Sequence, residues 1–228
     1  MEICWSVKGG QGTTVVAAAM ALAAAGDGVP VTVVDLAGDL PAVLGVDGSG
    51  PGVTDWCAAG QGVGVEALDR LAVEVPGGLR VLPRGTTRWS AAEPTRMAAL
   101  VDDLVARSAS TGHRTPVVDA GDLFTGRPEA GPPGDLIDPL LEAADRSVLV
   151  TRACYLGLRR ISRQDRRPSE VALVVEPGRA LDRHDVEAVV GAPVTMRIPV
   201  DPAVARSVDA GLLARRIPRS LLRAVGSA

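Results

Sequence analysis

Lysine is nearly absent from this chain. Of its 24 basic residues 23 are arginine, and Lys8 is the single lysine. So complete a bias reflects codon composition and carries no mechanism, but it makes the one exception worth locating. Aromatic residues are scarce too, at 2%, which dictates a core of small aliphatics and leaves few rings for a base-stacking surface. Cys4, Cys57 and Cys154 are odd in number, widely spaced and without a CxxC pair. That excludes a disulfide framework and a cysteine-held zinc, and it fits a reducing compartment. The uncharged VVAAAMALAAA of residues 15–25 is shorter than the roughly 20 residues of a membrane span. It has the profile of a signal-peptide core, yet the residues before it already read as a strand and a glycine turn. The expectation is a cytoplasmic chain and not an exported one.

What is present points to a folded domain. At 228 residues, 46% apolar and 22% charged, the chain is too hydrophobic for disorder and long enough for one large α/β domain. Its net charge of −3 hides a split: residues 1–145 carry 9 basic and 19 acidic side chains, giving −10, and residues 146–228 carry 15 and 8, giving +7. A basic second part of this kind suits nucleic acid, acidic lipid or an acidic protein surface.

Strand and helix signals alternate. Candidate strands occupy residues 2–7, 30–35, 79–82, 115–119, 146–151, 170–175 and 193–198, and candidate helices 13–25, 94–109, 135–144, 156–164, 182–190 and 202–214. The strands are Val/Ile/Leu runs without polar alternation, as expected when both faces of a parallel sheet are covered. The pattern predicts a single-domain, doubly wound α/β fold over residues 1–228, with a mostly parallel sheet of about seven strands. The Gly/Pro-rich stretch 121–134 follows the fourth strand, where ligand loops sit in such sheets.

Between the first strand and first helix stands Lys8-Gly9-Gly10-Gln11-Gly12-Thr13-Thr14. Glycines there let backbone N–H groups close on an anion, and the helix N-terminus adds its dipole. A threonine hydroxyl at the helix start suits Mg²⁺. A tight turn serving only strand–helix packing is the alternative.

This segment resembles the deviant Walker A motif, K-G-G-x-G-K-[ST]-[ST], of the ParA/MinD family of P-loop ATPases. The resemblance extends along the chain. Asp35-Leu36-Ala37-Gly38-Asp39-Leu40 is similar to the D-x-D switch region, and Val117-Val118-Asp119 to Walker B. Ala144-Asp145 before Val148–Thr151 resembles the fifth-strand segment, and Ile198-Pro199-Val200-Asp201 with Ala210-Gly211 the C-terminal pattern. Leu44-Gly45 and Thr54-Asp55-Trp56 are similar to the TadZ/CpaE group, which positions tight-adherence pili. The resemblance implies a P-loop fold, a homodimer, ATP or ADP with Mg²⁺, and a protein partner. It implies that residues 9–14 cradle phosphate, that Thr14 and Asp119 serve Mg²⁺, that Asp35 sits near the γ-phosphate, and that Lys8 reaches a partner's phosphates.

Three departures set the functional expectation. The second P-loop lysine is missing: Thr13 stands in its place, or that position is deleted. Ala37 replaces the second switch aspartate, and Asp39 substitutes only through a shifted loop. Glu176 stands where the family often reads adenine with asparagine, which leaves GTP open beside ATP. Phosphoryl transfer rests on positioning and charge neutralisation, so a site short of the lysine and a water-orienting carboxylate is expected to bind nucleotide weakly and to hydrolyse it little or not at all. An active ATPase using Thr13, Lys8 and Asp39, and a nucleotide-independent scaffold, are the alternatives.

Arg159, Arg160, Arg163, Arg166 and Arg167 put five guanidiniums within nine residues. On a continuous helix Arg159, Arg163, Arg166 and Arg167 share a face, suited to DNA phosphates or another acidic surface, or simply to solvent. In residues 211–225, Leu213, Ile217, Leu221 and Val225 oppose Arg215, Arg216, Arg219 and Arg223, a membrane-surface pattern interrupted by Pro218; packing on the domain is the expectation. His113 and His184 lack ligand-spaced companions, and Asp102-Asp103 reads as a solvated pair. Trp5 is expected in the core, and Trp56 and Trp89 are candidate interface anchors.

Overall fold

The opening residues EICWS are apolar on both sides of a strand, and all but Glu2 are buried in the strand Glu2–Ser6 (β1). The structure is a computed structural model and describes residues 1–60, 62–110, 115–123 and 131–226. The helix Thr13–Gly26 (α1) and strand Val31–Asp35 (β2) follow, then three short helices, Leu40–Leu44 (α2), Val53–Ala58 (α3) and Ala67–Leu71 (α4). A hairpin of Val73–Val75 (β3) and Leu79–Leu82 (β4) leads into Pro94–Ala109 (α5) and Thr115–Asp122 (β5). Next come Gly134–Ala143 (α6), Arg146–Arg152 (β6), Tyr155–Ile161 (α7) and Glu170–Val175 (β7). Arg183–Val190 (α8), Val194–Pro199 (β8), Pro202–Asp209 (α9) and Arg219–Val225 (α10) complete the order.

The eight strands form one sheet in the order β3-β4-β2-β5-β1-β6-β7-β8. Every neighbouring pair is parallel except β3 with β4. The sheet therefore has one strand more than the sequence pattern gave. β3 is a three-residue edge strand turned back by Pro76-Gly77-Gly78, where Gly77 and Gly78 take φ of +93° and +83°, open to glycine without strain. One core lies on each face of the sheet. Trp5, Leu36, Leu100, Leu136 and Leu149 pack on one side, and Cys4, Val33, Leu79 and Met196 pack with α1 on the other. In α1 the residues 16–22 are all buried, and its alanines let the helix lie close to the sheet with α2 and α10 against it.

Several expectations need correction. α7 ends at Ile161, so the arginine run is not one helical face. Ser162–Gln164 continue as single turns, and Pro168 pushes Arg167 toward extended backbone. Arg159 and Arg163 are exposed, Arg166 pairs with Asp138 at 2.6 Å, and Arg160 donates to the Val7 carbonyl at 3.3 Å. α9 stops at Asp209, followed by Gly211 at φ +62°. Trp56 and Trp89 are buried in the core, as Trp5 is, which removes them as surface anchors. Trp56 donates to the Gly64 carbonyl and carries the Arg96 guanidinium over its ring at 3.7 Å. Leu213, Leu221 and Val225 are buried against α1 and β8, while Arg215, Arg216, Arg219 and Arg223 stay exposed, so the C-terminal segment spends its apolar stripe inside the molecule. His184 is exposed, Asp103 pairs with Arg107, and His113 lies outside the described residues. None of the described helices is long and apolar enough to cross a membrane.

Asp55 ties α3 to the loop after β4. Its carboxylate accepts the Gly52 amide and the amides and hydroxyls of Thr86 and Thr87, which holds its pKa down to about 2 against the cost of burial. Asp55→Ala is expected to lower stability by about 1–2 kcal/mol, read as a lower urea midpoint at pH 7. The folded pKa lies below the ordinary 3.8, so this contribution is present above pH 4 and disappears as pH falls toward 2.

Candidate functional site

The glycine loop bridges β1 and α1 at the carboxyl ends of the strands. Gly10 and Gly12 take φ of +75° and +94°, a left-handed backbone that costs other residues about 1–2 kcal/mol each. Ser6 pins the loop base: its hydroxyl donates to the Lys8 and Gly121 carbonyls at 3.2 and 3.3 Å. α1 has no acidic residue of its own in the first turn, so its N-terminus presents the positive end of the helix dipole to the cleft. Beside it opens a cleft of about 750 Å³, bounded by Ser6, residues 9–15, Ala37, Asp39, Ala42, Val43, Gly121, Asp122 and residues 208–211.

Asp119 lies under this cleft within β5, two residues before the cleft-lining Gly121, and is fully buried. Oδ1 accepts the Gly121 amide at 3.0 Å, but Oδ2 has no hydrogen-bond partner among the described residues. Burial, with the negative charges of Asp35 and Asp39, pushes its pKa up to about 7 in spite of the Thr14 hydroxyl and the Gly121 amide. An orphaned carboxylate oxygen beside a threonine hydroxyl is an oxygen donor pair suited to a hard divalent cation such as Mg²⁺, and the neighbouring Cys4 thiol, in register on β1, is occupied with the Met20 sulfur at 3.6 Å.

Asp35 stands beside Asp119 in register on β2. It is not among the residues lining the cleft. Its oxygens accept the amides of Ala37, Gly38 and Leu40 at 3.0, 2.6 and 3.2 Å, shaping the switch loop, and burial raises its pKa to about 6.

The fold thus gathers Gly9, Gly10, Gln11, Gly12, Thr13, Thr14 and Asp39 around one cleft, with Asp119 beneath them. Lys8 is next to the loop but does not line the cleft. Gln11 lines the cleft while its side chain is buried, and Oε1 accepts the Arg152 amide at 2.9 Å, tying the loop to β6. Glu176, beyond β7, also lies outside the cleft lining and is held by Arg152 and Arg179, which lower its pKa. Of residues 121–134, those at 124–130 lie outside the described residues.

Two cleft carboxylates were not anticipated from the sequence. Asp122 has Oδ2 3.7 Å from where a Cβ on Gly9 would stand, and Asp209 arrives from the end of α9. An acidic residue directly after the fourth strand was a usable signal for Asp122. Nothing local pointed to Asp209, which the topology alone carries to the cleft.

No protein-family model matches the chain, and no curated protein is significantly similar to it. Solved structures are similar to it. A ParA family ATPase from Chlorobium tepidum superposes with a TM-score of 0.77 at 22% identity, over 98% of this chain and 95% of that one. The MinD cell division protein of Aquifex aeolicus gives 0.74 at 18%, over 99% and 93%. The septum site-determining protein MinD of Pyrococcus horikoshii, complexed with Mg-ADP, gives 0.71 at 20%, over 98% and 92%. Likeness of this extent, at identities this low, establishes architecture: the chain has the fold of the ParA and MinD P-loop ATPases.

Proposed function

We propose that this chain is a spatial-positioning or assembly protein of the ParA/MinD kind, which binds an adenine nucleotide with Mg²⁺, dimerises and recruits a protein partner, while ATP hydrolysis is weak or absent. One observation carries the reading: Thr14 lies beside Asp119, as the motif's Ser/Thr would beside Walker B. On this reading Thr13 is taken as a substitution for the lysine, which the Thr14–Asp119 contact supports. Residues 9–14 offer amides and the α1 N-terminus to phosphates, Thr14 and Asp119 hold Mg²⁺, and bound Mg²⁺ offsets phosphate charge. Without the lysine, and with Ala37 in the switch loop, little remains to stabilise the charge of phosphoryl transfer or to orient a water.

Lys8 does not line the cleft, and the family resemblance assigns it to the phosphates of a second copy in a homodimer. Glu176, engaged by Arg152 and Arg179, stands where the family reads adenine, and ATP is the nucleotide proposed. The exposed Arg159 and Arg163 are the candidate recruiting surface for DNA or an acidic partner. Positioning of a pilus or secretion apparatus follows only from the TadZ/CpaE-like residues near Asp55. A chain held in the reducing cytoplasm agrees with its unpaired cysteines.

Thermal melting across an ATP and ADP series tests the reading. ATP–Mg is expected to raise the melting temperature beyond Mg²⁺ alone, increasing with concentration by mass action. A flat response at millimolar nucleotide contradicts it and favours the nucleotide-independent scaffold.

A further inference from the structure

The space beside Gly38 in the switch loop is taken by another residue. At φ +110° this glycine leaves open the volume a Cβ would fill, and the half-buried Arg84 occupies it: Nε and Cζ lie 3.0 and 3.2 Å from that point. A larger residue at 38 would meet the guanidinium as well as a strained backbone. Gly38 stands between Ala37 and Asp39, both on the cleft wall. The arginine therefore rests against the loop one residue from the cavity on either side.

The backbone that carries Arg84 is fixed independently of the switch loop. The Val53 amide donates to the Pro83 carbonyl at 2.9 Å, and the Thr54 amide and hydroxyl donate to the Arg84 carbonyl at 2.7 and 2.9 Å. Asp55 holds Thr86 and Thr87 just beyond. A long cationic side chain is thus mounted on a rigid base. Its Nε is buried without a hydrogen-bond partner, and no carboxylate pairs with the side chain, among the described residues. An open buried donor is costly, and an arriving anion satisfies it. The cleft has need of such a group: Asp39, Asp122 and Asp209 line it, with no lysine or arginine among its described lining residues. Phosphates held by the loop amides meet only like charge from the side chains around them.

We propose that Arg84 is the cation of this site: it reads the terminal phosphate of the bound nucleotide from the switch-loop side and makes the site prefer a triphosphate to a diphosphate. The inference rests on the function proposed above and adds the residue that takes the charge of the last phosphate. Phosphates anchored on residues 9–14 run toward the wall formed by Ala37 and Asp39; a triphosphate reaches it and a diphosphate falls short. There the guanidinium swings past Gly38, whose missing side chain leaves the way clear. It donates Nε–H and a terminal N–H as a fork to two phosphate oxygens, and offsets the charge of Asp39. Arg84 brings charge but no group to orient a water, so it strengthens binding without accelerating hydrolysis.

Isothermal titration with ATP–Mg and ADP–Mg tests this. The parent chain is expected to bind ATP more tightly than ADP. Arg84→Met keeps an unbranched stem over Gly38 and removes the charge; it is expected to weaken ATP about tenfold or more and ADP by less than about twofold. The apo variant melts no lower than the parent, because it sheds a buried, unsatisfied N–H. Arg84→Lys keeps the charge without the fork and recovers part of the lost ATP affinity. A parent that binds ATP no tighter than ADP, or an Arg84→Met that weakens both nucleotides alike or neither, overturns the inference while the nucleotide site stands. A parent that binds neither nucleotide contradicts the proposed function, and the inference falls with it.

Discussion

Thr13→Lys is expected to tighten ATP–Mg binding by about ten- to a hundredfold. A hydrogen bond to a charged group is worth about 1.5–3 kcal/mol, and position 13 lines the cleft at the first turn of α1, where a longer side chain extends into the cavity. Turnover is expected to rise far less than affinity. Ala37 still leaves the switch loop without its second carboxylate, and binding that does not strengthen in the transition state does not accelerate chemistry. Isothermal titration beside a phosphate-release assay separates the two quantities. Unchanged affinity in a folded Thr13→Lys contradicts the assignment of position 13 to the phosphates.

Asp119→Asn has the second large effect, with opposite signs in the apo and loaded protein. In the folded chain the Asp119 pKa stands at about 7, against 3.8 for an unburied carboxylate. The native state therefore holds a proton that the unfolded state has released between about pH 4 and 7. Stability from this group falls as pH rises through that window and stays lost above it. At roughly 1.4 kcal/mol per pKa unit, a neutral isostere relieves a few kcal/mol at pH 8 and almost nothing at pH 4. The apo variant is expected to melt higher than the parent at pH 8, with the gap closing toward pH 4, and to lose the added stabilisation from Mg²⁺ and ATP–Mg. A variant that melts lower at pH 8 contradicts the picture of a buried carboxylate awaiting a cation.

Much of the architecture was legible because it rests on local physics. Pro94 at the first helical position and a sustained helical period gave α5 its observed limits, Pro94–Ala109. Val/Ile/Leu runs gave seven of the strands, and the glycine loop is where its residue types put it. The losses have physical reasons. β3 is too short for a period, although Pro76-Gly77-Gly78 marks its turn. α2, α3 and α4 are five or six residues long, below any periodic window. α7 ended early because backbone turns and Pro168, not side-chain pattern, decided it. At the site, residue type told which groups gather at the loop but not where side chains point. The Gln11 and Asp35 side chains also hold the backbone of Arg152 and of the switch loop, contacts that residue type does not reveal. Asp209 became a cleft residue only through packing of the C-terminal segment.

The most direct measurement follows the fate of bound ATP. Protein in excess over radiolabelled ATP, with Mg²⁺ present, is quenched over hours and its nucleotide separated. The account predicts ATP that is bound and stays intact, with ADP forming no faster than in protein-free buffer. Conversion of the bound ATP to ADP within minutes, lost on Lys8→Ala, contradicts it and makes the chain a working ATPase with an unusual loop.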